Sequence, residues 1–316
     1  MDLSLTFLGT SASAPTSRRG LAGLVVRRGG DWLLFDCGEG TQRQMIRSVG
    51  LADLEHIFIT HFHADHFLGL PGMLKTFSLR GREAPLTIYG PPGLYDLFEK
   101  LDMVLGGTKY RVSLVELEPN EAVRFGDYEV VAFPVQHGVR AYGYALVEDD
   151  RAGRFDEEEA VRLGVKPGPD FGRLQRGETV DVADGTVNPV QVLGETRLGR
   201  KLVYSGDTSP CEALRIAAHE ADVLVHEASF LDDERARAAE THHSTAAQAA
   251  QIGKDAQVKL LCLTHISGRY FAKDVREEAR AVFEQTVVPH DFDTVEVPLP
   301  ERGQPHLLKR EKSSDE

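Results

Sequence analysis

The sequence has few cysteines, no long apolar run and no sign of a leader peptide. The three cysteines, Cys37, Cys211 and Cys262, show no C-x-x-C spacing, which supports neither a disulfide framework nor a thiolate zinc site. The N-terminus lacks the basic segment of a signal peptide, and no stretch approaches the length that spans a bilayer. These absences predict a soluble cytoplasmic protein without a membrane anchor.

Basic residues are also fewer than acidic ones. The chain has 36 Lys and Arg and 49 Asp and Glu, which gives a formal net charge of −13. Taken alone, this charge argues against a nucleic-acid binder, although a net charge does not describe local patches. The glycine-rich stretch from Asp36 to Gln44 lacks the G-x-x-x-x-G-K-[ST] pattern, so no nucleotide cofactor is predicted. With 316 residues and 41% hydrophobic content, the chain is large enough for a sizeable core.

The chain is organised around residues 54–70, LEHIFITHFHADHFLGL. An apolar run from Ile57 to Thr60 predicts a buried strand. Four potential metal ligands follow before any regular element is expected to resume: His61, His63, Asp65 and His66. Imidazole and carboxylate suit zinc and its first-row neighbours, and ligands with one-residue gaps on an extended loop can serve two adjacent metals. The alternative is an accidental cluster, but an aspartate buried among three imidazoles without a metal would be costly.

The same pattern, an apolar strand followed by a metal-type residue, occurs at three further places. The predicted strands Tyr128–Phe133, Lys201–Tyr204 and Lys259–Leu263 lead to His137, Asp207 and His265. In layered α/β folds the ends of strands converge on one crevice. Each residue alone could be accidental, but their common placement predicts one shared site.

These residues divide into two predicted metal sites. We expect His61, His63 and His137 to hold one metal, Asp65, His66 and His265 to hold the second, and Asp207 to bridge them. Two divalent cations about 3.5–4 Å apart can activate a water near neutral pH and stabilise both oxygens of a phosphoryl displacement. Ligand type does not separate zinc from manganese or cobalt. Asp65 can also orient or deprotonate the water.

Glu227 and His243 form a second candidate pair. If they lie side by side, the carboxylate favours the protonated imidazole and supplies an acid for the leaving oxygen. The alternative is that His243 merely joins Ser244 and Thr245 at the start of a helix, where Thr245 and Gln248 form a capping box.

The composition changes between Glu148 and about Arg197, where charge and glycine rise and apolar periodicity weakens. We interpret residues 149–197 as an insertion that projects from a catalytic domain of residues 1–308, because it has too few apolar residues for a core of its own. A solvated linker is the alternative. The polar tail from Glu301 is predicted to be disordered, and residues 309–316 form its end.

Seven motifs occur in one order along the chain: DCGEGTQRQ, THFHADHFLGLPG, VQHG, SGDT, HEASF, HHSTAAQAA and LTHIS. They resemble the metallo-β-lactamase superfamily and, more narrowly, the ribonuclease Z family of short-form tRNA 3′-processing endonucleases. The resemblance runs from LGTSASAPTSRRG to near Val288. It implies an α/β fold, the αββα four-layer sandwich, with an inserted flexible arm, two zinc ions per subunit on the ligands named above, and a homodimer.

The resemblance also implies an activity and residue roles. The expected reaction is zinc-dependent cleavage of precursor tRNA on the 3′ side of the discriminator nucleotide, which leaves a 3′-hydroxyl on the tRNA and a 5′-phosphate on the trailer. Asp65 is then the catalytic base, and Glu227 and His243 assist protonation of the leaving group. The insertion is the arm that grips the tRNA elbow, and the loop from Pro15 to Gly20 helps to sense the 3′ CCA end. The implied phosphate contacts are Arg18, Arg19, Lys166, Arg173 and Arg176.

Two other functions remain open. One is a related dimetal phosphodiesterase that acts on small diesters or other RNAs. The other is a non-catalytic RNA-binding or zinc-stabilised structural protein, against which the complete set of ligands argues.

Overall fold

A computed structural model of the chain describes residues 1–51 and 54–310. The chain divides into a larger unit, Met1–Val147 with the chain from Lys201 onward, and a smaller unit, Glu148–Arg200. Most of the predicted disordered tail, residues 311–316, lies outside the described residues. Among the described residues, none of the helices combines the length and apolar character that a bilayer crossing requires.

Short strands and helices make up both units. The strands, in chain order, are β1 (Leu3–Gly9), β2 (Gly23–Arg28), β3 (Asp31–Phe35), β4 (His56–Phe58), β5 (Leu86–Gly90), β6 (Val112–Glu116), β7 (Ala122–Phe125), β8 (Tyr128–Pro134), β9 (Tyr142–Glu148), β10 (Val180–Val182), β11 (Gly185–Val187), β12 (Lys201–Tyr204), β13 (Val223–Glu227), β14 (Leu260–Thr264), β15 (Thr286–Val287), β16 (Thr294–Glu296) and β17 (His306–Leu308). The helices are α1 (Thr41–Arg47), α2 (Ala64–Phe67), α3 (Gly69–Leu79), α4 (Leu94–Leu105), α5 (Glu157–Arg162), α6 (Pro169–Gln175), α7 (Glu212–Ala217), α8 (Arg235–Glu240), α9 (Ala246–Asp255) and α10 (Ala272–Val282).

Two mixed sheets form the centre of the larger unit. Their strand orders are β17-β16-β1-β2-β3-β4-β5-β6 and β15-β14-β13-β12-β9-β8-β7. Side chains from both sheets, such as Phe58 and Tyr144, share one apolar core. Helices α1, α3 and α4 cover the outer face of the first sheet, while α7, α9 and α10 cover the second. The predicted α/β fold with αββα layers is therefore confirmed.

Parallel pairing explains why the ligand-bearing segments meet. Strands β3 to β6 are parallel to one another, and so are β12 to β15. Because the carboxyl ends of parallel strands lie at one edge of a sheet, the segments that follow β4, β12 and β14 emerge at those edges. Every residue of β13 and β14 is buried, and each strand begins with a continuous apolar run, Val223–Val225 and Leu260–Leu263, rather than an alternating sequence.

Local structure differs from the expectation at three places. Asp65 and His66 lie in the short helix α2 rather than in an extended loop, and the acidic Asp65 occupies the first turn, where a helix favours negative charge. His243 lies between α8 and α9 rather than inside a helix, although the predicted capping box of Thr245 and Gln248 is confirmed. The tail from Glu301 was predicted to be disordered, which is wrong for β17, because β17 pairs with β16 and Leu307 packs against the core.

The smaller unit has a core of its own. Helices α5 and α6 pack with the hairpin of β10 and β11 around six buried apolar side chains: Ala160, Val165, Leu174, Val180, Val187 and Val192. The expectation that this segment has too few apolar residues for a core is therefore wrong, because small side chains suffice for so short a segment. At its base, Arg200 and Glu148 form a buried ion pair at 2.6 Å.

Candidate metal centre and active site

Nitrogen and oxygen atoms of seven side chains converge in the larger unit. In the first group, Nδ1 of His63 lies 3.0 Å from Nε2 of His61 and 3.2 Å from Nε2 of His137. In the second group, Nε2 of His265 lies 3.3 Å from Nε2 of His66 and 3.2 Å from Oδ2 of Asp65. Tetrahedral ligands about 2.0–2.1 Å from a zinc ion are separated from one another by about 3.4 Å, so both groups have suitable spacing.

Asp207 lies between the two groups. Its Oδ2 is 3.3 Å from Nε2 of His66, 3.4 Å from Nε2 of His265 and 3.9 Å from Nε2 of His61. Its Oδ1 is buried and has no hydrogen-bond partner within the described part of the chain. A buried carboxylate oxygen without a partner is unfavourable unless a cation binds it.

Hydrogen bonds on the far side of three rings, those of His66, His137 and His265, fix their tautomers. Nδ1 of His66 donates to the Asp36 carboxylate at 2.8 Å, and Nδ1 of His137 donates to the carbonyl of His242 at 3.0 Å. Nδ1 of His265 donates to Ser229 Oγ at 2.8 Å, and Ser229 in turn donates to Glu227. In its neutral form, each of these three rings therefore turns the lone pair of Nε2 toward the cluster.

His61 follows the same rule through Thr60. The Thr60 hydroxyl donates to Asp36, so its oxygen accepts from Nδ1 of His61 at 3.0 Å. The inward lone pairs and carboxylates repel one another without positive charge between them. Burial lowers the pKa of His66, but the Asp207 and Asp36 carboxylates raise it well above its usual value. The donor set fits two metal ions.

A second pair of side chains flanks the cluster. Nδ1 of His243 lies 2.7 Å from Oε1 of Glu227, a buried carboxylate at the end of β13. Burial lowers the pKa of His243, but the charge of Glu227 and this hydrogen bond raise it to about 9. Protonated His243 is therefore held close to the cluster, with its Nδ1 at 4.0 Å from Oδ2 of Asp207.

A glycine allows the Asp207 loop to approach the His61 loop. Gly206 has a φ of 59°, in the left-handed region, and a Cβ at this position would lie 2.9 Å from Cβ of Thr60. Only glycine avoids both the backbone strain and this contact. The SGDT motif is thus explained by the close packing of two ligand loops.

The structure places the expected substrate contacts in different environments. Arg18 is exposed, whereas Arg19 is buried and donates to Thr10 Oγ1 and to the carbonyl of Pro289, so its guanidinium points into the protein. In the smaller unit, Arg173 forms ion pairs with Asp170 and Glu178. Arg176 also pairs with Glu178, while Lys166 is exposed.

Sequence reasoning missed the residues that hold the ligands. Asp36 accepts hydrogen bonds from His66, Thr60 and the hydroxyl of Tyr204, and Ser229 links His265 to Glu227. Asp36 lies in the DCGEGTQRQ motif and Ser229 in the HEASF motif. Their positions in these motifs were the only sequence signal noted for their roles. Their roles depend on contacts between distant strands, and spacing along the chain does not reveal these.

Comparisons with known proteins identify the family of the chain. A model of the Beta-lactamase superfamily domain matches residues 31–155 and 175–266. The chain is 48% identical over 301 residues to the Ribonuclease Z of Methanosarcina mazei, with 94% of this chain and 98% of that protein covered. It is 48% identical over 305 residues to the Ribonuclease Z of Myxococcus xanthus, with 94% and 98% covered.

Among solved structures, human tRNase Z, short form, superposes with a TM-score of 0.68 at 28% identity and covers 94% of this chain and 99% of that chain. A diphosphatase from the PhnP family, at 19% identity and a TM-score of 0.64, shares the fold and covers 94% and 98% of the two chains. The chain therefore belongs to the ribonuclease Z family within the β-lactamase superfamily.

Proposed function

We propose that the protein removes 3′ trailers from precursor tRNA by cutting on the 3′ side of the discriminator nucleotide, with two zinc ions per subunit. Membership of the ribonuclease Z family makes the chain a metal-dependent endoribonuclease of tRNA processing. The proposal adds the position of the cut, the metal and the products, a 3′-hydroxyl on the tRNA and a 5′-phosphate on the trailer. The observation that carries it is the convergence of seven donor side chains beside the Glu227–His243 pair.

Each of the two groups of ligands is assigned to one metal ion. His61, His63 and His137 would hold one ion, and Asp65, His66 and His265 would hold the other, with Asp207 between the two groups. When bound, the ions supply activation of water and charge stabilisation at the scissile phosphate. Asp65 also accepts a hydrogen bond from the backbone N–H of Ser13 at 2.9 Å, so one carboxylate oxygen is held in a fixed orientation. We assign Asp65 as the base that accepts the proton of the attacking water.

His243 donates a proton to the leaving oxygen. The Glu227 carboxylate fixes the ring through Nδ1 and keeps it protonated, while Glu227 itself accepts from the backbone N–H groups of Thr208 and Ser229. A fully hydrogen-bonded carboxylate stays ionised and does not compete for the proton. The leaving 3′-oxygen of the tRNA thereby departs as a hydroxyl.

We also propose that residues 149–197 bind the tRNA away from the cut, that the protein acts as a homodimer, and that it works in the cytoplasm. The exposed Lys166 supports a phosphate contact in the arm. To bind RNA phosphates, Arg173 and Arg176 must first break their ion pairs with Asp170 and Glu178. The loss of these pairs reduces the binding free energy gained from each phosphate contact.

The test is incubation of the zinc-loaded protein with a precursor tRNA that carries a 3′ trailer, followed by sizing and end analysis of the products. We expect one cut after the discriminator nucleotide. Asp65→Ala is expected to fold but to cut at least about a hundredfold more slowly, because it loses both a ligand and the base. Asp102→Ala removes an exposed carboxylate of α4 and serves as the matched control.

Three outcomes would contradict the proposal. An unimpaired Asp65→Ala enzyme would refute the mechanism. Hydrolysis of a small chromogenic diester after deletion of residues 150–197, together with intact precursor tRNA in the presence of the full protein, would favour a phosphodiesterase for small diesters or other RNAs. A metal-loaded protein that binds tRNA and leaves every substrate uncut would indicate a non-catalytic binding protein.

A further inference from the structure

A basic pocket of about 980 Å³ lies in the larger unit, outside the metal ligands. It is formed by the loop Pro15–Gly20, the start and outer face of α1, the turn His290–Asp293 and the end of the described chain at Lys309 and Arg310. Except for the arginines of the first loop, none of these residues has a role in the reaction described above.

The exposed charges of this pocket are mostly positive. Among the described residues that line it, the exposed cations are Arg18, Arg43, Arg47, Lys309 and Arg310, against one exposed acid, Glu39. The other two acids of the lining are already engaged. Asp291 accepts from Thr10, Gly20 and Gln44, and Asp293 accepts from the backbone N–H groups of His290 and Arg310. Five exposed cations thus line one concave surface of a chain whose net charge is −13.

An aromatic ring brings two of these cations together. The guanidinium groups of Arg47 and Arg310 lie 5.0 Å and 4.6 Å from the centroid of Phe292. Phe292 has a φ of 72°, which is strained for a bulky residue. Cation–π contact with the ring places both guanidinium groups on this surface.

The loop of the pocket is attached directly to the metal centre. Ser13, two residues before Pro15, donates its backbone N–H to the Asp65 carboxylate. An RNA strand whose scissile phosphate lies at Asp65 therefore has this basic surface beside it. Phosphates repeat at each nucleotide, so a pocket of this size can accept several of them.

We propose that this pocket binds backbone phosphates of the RNA within a few nucleotides of the cut, with Arg43 and Lys309 as new contacts that position the substrate. The proposal rests on the proposed function, because it assumes an RNA cut at the metal centre. These contacts read no bases, so they act on all RNA substrates alike and lose strength as salt rises.

The test uses the zinc-loaded full-length protein with the double variant Arg43→Glu and Lys309→Glu. We expect KM for the precursor tRNA to rise about tenfold, with kcat changed by less than about twofold, because the contacts lie outside the reacting atoms. The slope of log K for RNA binding, measured by fluorescence anisotropy against log salt concentration, is expected to fall by about 1 to 2. The pair Arg43→Gln and Lys309→Gln should give a smaller change in the same direction.

The matched control is Arg80→Glu with Lys100→Glu, two exposed cations that do not line the pocket. It carries the same change in net charge and should leave KM and the salt slope unchanged. Equal effects in both double variants, or none in the pocket variant, would overturn the proposal. If the wild type binds RNA through these residues but cuts no trailer, the proposed function fails while the pocket stands. If the wild type neither binds nor cuts RNA, both fail.

Discussion

Nδ1 of His66 donates to Oδ2 of Asp36 at 2.8 Å, and both side chains are buried. This contact joins the end of β3 to the short helix α2, which carries two of the proposed ligands. The orientation of His66 toward the metal centre therefore depends on a residue 30 positions earlier in the chain.

The variant Asp36→Asn is expected to weaken metal binding about 10–100-fold, because the amide no longer fixes the ring of His66 as a carboxylate does. A competitive titration with a chromogenic chelator measures the affinity. Asp102→Asn, on the exposed surface of α4, is the control. Unchanged metal affinity in Asp36→Asn would remove this residue from the support of the site.

Glu227→Gln is expected to shift the pH dependence of kcat. Protonated His243 is the proposed acid, and Glu227 opposes the effect of burial and raises the pKa of His243 to about 9. The kcat of the wild type should therefore stay constant up to about pH 8–9 and fall at higher pH. Without the carboxylate the pKa returns to about 6.5 or below, so the fall should begin near neutral pH.

A pH–rate profile of kcat for both proteins provides the measurement. Glu99→Gln removes an exposed carboxylate of α4 and should leave the profile unchanged. Coincident alkaline limbs in Glu227→Gln and the wild type would show that His243 does not supply the proton.

Gly206→Ala is expected to destabilise the fold by about 1–3 kcal/mol, because the left-handed backbone disfavours alanine. The added Cβ would also press on Cβ of Thr60 at 2.9 Å and displace the neighbouring His61. Urea unfolding measures the loss, and metal content measures the displacement. Gly30→Ala is the control, since a Cβ there meets nothing within 4 Å. If Gly206→Ala is as stable as Gly30→Ala and contains as much metal, the close packing of Gly206 against Thr60 is contradicted.

Removal of metal by a chelator is expected to lower Tm, because the inward lone pairs and carboxylates then lose their counter-charge. Free metal at 100 times its Kd stabilises the fold by about 2.7 kcal/mol per site. Restoring zinc should recover Tm and give two ions per chain by elemental analysis. Asp207→Ala removes the carboxylate between the two groups, so this variant should retain fewer than two metal ions per chain. A wild-type content of one ion per chain would contradict the division into two groups.

The sequence predicted the parts of the site that depend on local order. The seven donors follow short apolar strands, and parallel strands bring their ends to one edge of a sheet, so Asp207 after β12 and His265 after β14 could be expected to meet although they are far apart in the chain. The choice of ring nitrogen could not be predicted. His63 turns Nδ1 toward its neighbours, while His61 and His137 turn Nε2 because Thr60 and the carbonyl of His242 accept from the far side of their rings.

Other features were decided by tertiary contacts. Arg19 resembles its neighbour Arg18 in sequence, yet it is buried because Thr10 and the carbonyl of Pro289 accept its N–H groups. The smaller unit was expected to lack a core, because its apolar residues are few and widely spaced. They form one only after two short helices and a hairpin place them on the same side.

The pairing of Val147 with Lys201 has an evolutionary consequence. Because these residues face each other on adjacent antiparallel strands, the whole segment between them occupies the topological place of a hairpin turn. Doubling the length of such a connection costs only about 0.6 kcal/mol in closure entropy. Lineages can therefore lengthen, shorten or replace this segment, while the order of strands that builds the candidate metal centre is inherited intact.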